Sequence, residues 1–218
     1  MGEVNLLENY PKTKRNLEER RESKTEEDRK VARRFGREFF DGDRRFGYGG
    51  FSYHPRFWQP VIPAFQQFYQ LNSQSRVLDV GCAKGFMLHD FRTVIPGIHV
   101  AGVDVSQYAI AQAIDDVKPY VCVANAKELP FEDKSFDLVI SINTIHNLSL
   151  KHCKEALHEL QRVSCGYAFI TVDAYRNAEE KERMDMWNLT AQTYMHVDEW
   201  IALFKEVGYQ GDYYWFIP

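Results

Sequence analysis

No stretch of the 218-residue chain holds the roughly 18 to 20 uninterrupted apolar residues that cross a bilayer, so a membrane span is excluded. Cysteine is scarce. The four thiols, Cys82, Cys122, Cys153 and Cys165, form no C-x-x-C pair, and they read as reduced, small apolar side chains rather than a disulfide framework or a zinc site. His152, Cys153 and His158 lie close in sequence, but the two histidines are six positions apart and fall on different faces of a helix, so no metal is expected there. An excess of positive charge is also lacking, with a net charge of −4. Residues 1–45 carry 13 Lys/Arg against 11 Asp/Glu, whereas the remainder carries 14 against 20. An acidic body repels a phosphate backbone, and long nucleic acid is not an expected partner. The opening stretch, MGEVNLLENYPKTKRNLEERR, is charged where a secretory leader would be apolar, so the expected address is cytoplasmic, with no membrane attachment.

What the chain does have is enough apolar material, 44% hydrophobic and 14% aromatic residues, to bury one sizeable core. Residues up to about 24 show no sustained apolar period and read as a loose tail. Thr25 then caps a helix whose first turn is acidic, with Val31, Phe35 and Phe39 recurring every fourth residue to about Phe40. A glycine- and aromatic-rich loop follows through Tyr48, Phe51, Tyr53 and His54, and a further helix begins near Pro63. Beyond it, strand-length apolar runs at 77–80, 99–104, 120–123, 136–142 and 167–173 alternate with helical spacing at 86–94, 106–117, 153–163 and 197–207. This alternation predicts an α/β fold, a Rossmann-like doubly wound and mostly parallel sheet of six or seven strands, with flanking helices and an N-terminal helical extension.

The most informative segment is VLDVGCAKGF, in which an apolar strand runs into a glycine turn and then directly into a helix. Open α/β sheets bind ligands at this carboxyl edge. The spacing is D-x-G-x-x-x-G, with Ala83 where a dinucleotide loop places its middle glycine. Asp79 just before the turn would repel a diphosphate but suits an ammonium group, which points to a cofactor with an amino-acid end. Asp104 closes the next strand 19 residues beyond Gly85, where a carboxylate can accept bonds from both hydroxyls of a ribose.

With LDVGCAKG, GVDVS, NAKELPFEDKSFDLVIS and HVDEWIALFKEVGY, the chain resembles the class I S-adenosylmethionine-dependent methyltransferases over about residues 75–209, in particular the small-molecule branch called type 11. The resemblance implies a methyltransferase domain over residues 56–218, preceded by an extension and aromatic lid at 1–55. It implies S-adenosyl-L-methionine as cofactor. Asp79, Gly81, Cys82 and Gly85 would line its methionine part, Asp104 would hold the ribose, and Val105 would pack near the adenine. Asn125 and Ala126 occupy the place beside the adenine amino group, and Asn143 joins the cofactor set at the end of the fourth strand.

Methyl transfer from a sulfonium is an in-line displacement on an activated carbon, so alignment supplies most of the rate and no covalent nucleophile is needed. An oxygen or nitrogen acceptor must lose a proton, and His146, just after the fourth strand, is the candidate catalytic base. Tyr48, Tyr53 and His54 from the lid, with Tyr175, Arg176, Trp187 and His196 after the fifth strand, are the candidate substrate contacts. The expected substrate is a small polar metabolite, for which a sugar or amino-acid derivative is the right size. An RNA or protein methyltransferase using Arg15, Arg20, Arg21, Arg33, Arg34 and Arg37 is the alternative, as is a non-catalytic cofactor-binding accessory protein. After Gly208 there is room for one strand near 213–217, and an exposed Tyr-Tyr-Trp-Phe-Ile edge would call for a cover, for which a second copy of the chain is a candidate.

Overall fold

The structure is a computed structural model, and it describes residues 2–11 and 25–218. The sheet runs in the order β3-β2-β1-β4-β5, formed by β1 (Arg76–Val80), β2 (His99–Asp104), β3 (Val121–Val123), β4 (Phe136–Ile142) and β5 (Ser164–Tyr175). Two further strands, β6 (Met195–His196) and β7 (Asp212–Phe216), both pair with β5, β6 at Ala174–Tyr175 and β7 from Phe169 to Asp173. Every strand pair is parallel. The central strands are apolar on both faces, as a sheet covered on both sides requires: Val77, Leu78 and Val80 of β1 and Leu138, Val139 and Ile140 of β4 are fully buried.

Helices close both faces. On one side α3 (Ile62–Tyr69) and α4 (Phe86–Val94) pack Ile62, Phe65, Leu88 and Phe91 against Val77, Leu138, Ile140 and Phe169. On the other, α6 (Leu150–Val163) and α8 (Val197–Glu206) pack Leu157, Leu160, Trp200 and Phe204 against Val80, Val139 and Ile170. The helix expected over 106–117 is shorter than its pattern: α5 spans Gln107–Ala111, capped by the Ser106 hydroxyl, and the chain then turns irregularly toward β3. A further helix, α7 (Ala178–Trp187), follows β5. Among the described residues no helix is long and apolar enough to cross a membrane.

The N-terminal extension differs from its expectation in two ways. Residues 2–11 are not a loose tail. Gly2 and Val4 exchange backbone hydrogen bonds with Tyr213 at 3.1 and 2.9 Å, and Leu6 is buried in the same core as Val61 and Phe65. Tyr213 on the outer edge of β7 thereby finds partners within the chain, and a second copy is not needed to satisfy it. Second, the helix opened by Thr25 breaks. α1 (Glu26–Ala32) has a full capping box between Thr25 and Asp28, but Phe35 takes φ +48° and α2 (Arg37–Asp41) restarts after Gly36. The break turns Phe39 and Phe40 onto Tyr48, with Phe40 also against Phe51 and Tyr108, so the extension folds back over the sheet's carboxyl edge.

Candidate active site at the carboxyl edge

The loop from Gly81 to Gly85 leaves β1 and opens α4. Gly81 and Gly85 both have positive φ, +91° and +77°. Their missing side chains serve the protein's own packing: a Cβ on Gly81 would lie 2.1 Å from the Thr144 hydroxyl, and one on Gly85 would lie 2.6 Å from a Val117 methyl. The loop is tied to β2, with the Gly81 and Cys82 amides donating to the Val103 carbonyl at 2.7 and 3.0 Å. Cys82 is buried against Gly102 and forms the floor of the loop.

Asp104 is held in place by two backbone amides, Ala83 N–H to Oδ2 at 2.9 Å and Ser106 N–H to Oδ1 at 2.8 Å. Burial raises its pKa against the pull of those two donors. Each oxygen keeps acceptor capacity beyond the amide it already holds. Asp79 is 5% exposed, and burial, helped by the charge of Asp104, pushes its carboxyl up to about 7. Val105 stands 54% exposed beside them, an apolar side chain at the rim with its face uncovered. Asn125 is half-buried at the end of β3, and its Oδ1 accepts the Lys127 amide at 3.2 Å, so its side chain first of all builds the turn. Ala126 packs beside the core next to it. Asn143 ends β4 at φ +51°, its amide and side-chain oxygen bonded to the Thr171 hydroxyl at 2.8 Å each.

His146 follows on the 3-10 turn Ile145–Asn147, but it is buried rather than open at the cleft mouth. Its Nδ1 accepts the Asp173 backbone N–H at 2.9 Å, which fixes the proton on Nε2. Burial pushes its pKa down, against the Asp173 carboxylate 3.5 Å away, so the imidazole is neutral near pH 7. The expectation of a catalytic base is revised on that ground: the lone-pair nitrogen is already occupied, and the geometry supports a positioning role. The His146 carbonyl likewise anchors the Gln192 and Thr193 amides, fastening the segment after α7 to the end of β4. His146→Ala is expected to cost about 1 to 3 kcal/mol, the usual penalty for stranding a buried N–H, read as a lower denaturation midpoint. A drop in turnover with an unchanged midpoint would instead restore the base. Because the folded-state pKa is depressed, the stability that neutral His146 provides is present above about pH 6.5 and fades as pH falls below it.

Most of the expected substrate contacts turn out to be struts. Tyr53 donates its hydroxyl to the buried Asp90 of α4 at 2.7 Å, and burial together with that carboxylate raises its pKa to about 12. His54 is exposed, and its Nδ1 accepts the Arg56 amide in a surface turn. Arg176 pairs with Glu3 at 3.4 Å and lies 3.9 Å from Glu180. His196 caps α8 and bonds the Arg176 carbonyl at 2.9 Å, with Tyr175 packed edge-on against its ring. Trp187 packs on Phe216, the last residue of β7. Tyr48 is half-exposed on the lid, stacked on Phe40 and tilted against Phe51. Asp41, Tyr108 and Thr144, which shape the site, carry no local sequence signal, since their partners lie far away in the chain.

A methyltransferase-domain family matches residues 77–166, the stretch from β1 to the start of β5 that contains Asp79, the glycine loop and Asp104. Residues 77–166 thus carry a methyltransferase domain. The chain is 32% identical over 146 residues to tRNA (carboxymethyluridine(34)-5-O)-methyltransferase of Arabidopsis thaliana, covering 66% of this chain and 34% of the relative. It is 29% identical over 135 residues to malonyl-acyl-carrier-protein O-methyltransferase of Legionella pneumophila, covering 59% of this chain and 45% of the relative. The chain thus spans less than half the length of either. Among solved structures it resembles the YcgJ protein of Bacillus subtilis, with a TM-score of 0.50, 20% identity, and 67% and 66% of the two chains covered, which is a likeness of fold. The matched domain family implies S-adenosylmethionine, and the residues of the rim fit it: a buried carboxyl raised toward neutrality suits a cation, a fixed carboxylate keeps acceptor capacity, and an apolar side chain is exposed beside them.

Proposed function

We propose that the protein transfers a methyl group from S-adenosylmethionine to an oxygen or nitrogen of a small polar metabolite. Bound at the rim, the cofactor supplies a sulfonium-activated methyl. Asp79 faces its ammonium group, Asp104 takes its ribose hydroxyls, and Val105 packs on its adenine, with Asn125, Ala126 and Asn143 completing the wall. The observation that carries this reading is the tether from Ala83 N–H to Asp104 Oδ2 at 2.9 Å, which fixes glycine loop and ribose acid as one unit. The extension over the rim, with Tyr48, Phe40 and Phe51, excludes water and holds the acceptor in line. The acidic body favours a small acceptor over a polymer. The test is incubation with methyl-labelled S-adenosylmethionine and fractionated metabolite extracts. Label should enter a small molecule with release of S-adenosylhomocysteine, and Asp104→Ala should lower it by roughly ten- to hundredfold at sub-saturating cofactor. Cofactor binding without turnover on any fraction would point to an accessory protein instead.

The name of the Arabidopsis relative favours a second reading, methylation of RNA. Of the arginines that reading needs, Arg15, Arg20 and Arg21 lie outside the described residues, and Arg37 is paired with Glu38 at 3.3 Å. RNA binding that weakens steeply between about 50 and 200 mM salt would support it.

A further inference from the structure

Between α1 and α7, beside the segment that follows α7, lies an open, polar surface pocket of about 590 Å³. Its charged walls are Glu26, Arg29 and Arg33 from α1 and the residue after it and Lys181 and Asp185 from α7, with Gln192 among the residues from the segment beyond. Gln192 places the pocket at the acceptor end of the sheet, because its amide bonds the His146 carbonyl at 3.0 Å and its side chain donates to the Asn147 carbonyl at 2.7 Å. The cofactor loop stands over β1 and β2, whereas this pocket stands beside the ends of β4 and β5.

The charges around it are unequal. Lys181 is matched by Asp185 at 2.8 Å, and Arg29 by Glu26 at 3.2 Å. Arg33 meets no carboxylate among the described residues. Its Nε donates to the Thr190 carbonyl at 3.4 Å, which leaves the two terminal nitrogens of the guanidinium for another partner. Glu26 is 80% exposed, so its pair with Arg29 is weak and yields readily to a better acceptor. A guanidinium fork with a second arginine and a lysine beside it matches the oxygens of a carboxylate or phosphate.

Building on the methyltransferase reading, we propose that this pocket is the anion subsite of the acceptor, in which Arg33, with Arg29 and Lys181, holds a phosphate or carboxylate group of the substrate. The acceptor is then a small anionic metabolite rather than a neutral sugar. The test uses inorganic phosphate and acetate as separate probes, titrated into the full-length protein by calorimetry at constant ionic strength. One probe should bind in the millimolar range, phosphate identifying a phosphorylated acceptor and acetate a carboxylated one. Arg33→Gln should weaken it by tenfold or more. Since Arg33 also touches the Thr190 carbonyl, Lys181→Gln on the exposed side of the pocket serves as a second variant, with an expected three- to tenfold loss. S-adenosylmethionine affinity measured on the same variants should stay within twofold of wild type. No binding of either probe to the wild-type protein, or equal binding to both variants, overturns the subsite. Failure of S-adenosylmethionine itself to bind overturns the reading of the rim, a separate result.

Discussion

Lys84→Ala is expected to unfasten the N-terminal extension and to lower the stability of the whole protein by about 2 to 4 kcal/mol. Lys84 sits inside the cofactor loop but points away from it. Its ammonium gives its three protons to Asp41 Oδ1 and Oδ2 and to the Phe51 carbonyl, at 2.8, 2.7 and 2.7 Å. Asp41 also accepts from the Tyr108 hydroxyl at 2.7 Å and the Phe51 amide at 3.0 Å. One carboxylate therefore gathers the loop, α5 and the aromatic lid. Burial alone would raise the pKa of Asp41, but the bonds from Lys84, Tyr108 and Phe51 outweigh it and hold the carboxyl at about 2. The Lys84 side chain is only 9% exposed, so removing the cation strands a largely enclosed carboxylate, while the 26% exposure of Asp41 keeps the expected cost toward the lower end of the usual range.

Three readouts separate this latch from simple packing. Denaturant unfolding should show the loss for Lys84→Ala, and limited proteolysis should cut the 42–50 loop much faster. The double variant Asp41→Asn/Lys84→Met should cost less than the two single changes together, as coupled partners require. The pH sign follows from the depressed carboxyl: the Asp41 contribution is present above about pH 3.8 and is lost as pH falls toward about 2. Unchanged unfolding of Lys84→Ala together with unchanged proteolysis would remove the latch.

The same node explains why the fold was legible in the sequence and the site only partly so. Strand β2, strand β4 and helix α4 occupy the spans that their apolar periods predict, because burial on both faces of a parallel sheet writes itself into consecutive residues. Asp79 and Asp104 stand out in the sequence for a similar reason, since one precedes the Gly81 turn and the other closes an apolar strand. Lys84 does not. Its partner is 43 positions away, in a helix whose start depends on the left-handed turn at Phe35. Tyr53 and Arg176 looked like free polar side chains, yet Asp90 and Glu3 claim them across 37 and 173 positions. Residues 2–11 lack any period of their own and are ordered by what they complete, the open edge of β7. Long-range polar pairs leave no mark in a local window, and they decide which side chains remain for a ligand.

Cofactor binding is expected to be linked to a proton, and the linkage isolates Asp79. Its raised pKa of about 7 means that the ligand-free protein holds this carboxyl mostly protonated at pH 6 and mostly ionised at pH 8. An acid raised in the folded state gives its stability in full below its unfolded pKa near 3.8, and loses it as pH rises through about 7. The apo protein therefore carries a buried charge above neutrality, which the ammonium of S-adenosylmethionine would relieve in the proposed binding mode. Two consequences follow. Affinity should be flat above about pH 7.5 and fall toward tenfold per pH unit below 6.5, and calorimetry at pH 6 in buffers of different ionisation enthalpy should detect close to one proton released per cofactor bound. Asp79→Asn should flatten the pH dependence and weaken binding at pH 8 by roughly ten- to hundredfold, the scale of a hydrogen bond to a charged group. Asp104→Ala should instead weaken binding by a similar factor at pH 8 and move the onset of the low-pH loss to lower pH, because removing its charge lowers the pKa of Asp79. If affinity is the same at pH 5.5 and pH 8 and no proton is released, Asp79 does not face the ammonium, and the orientation of the cofactor along the rim must be reversed.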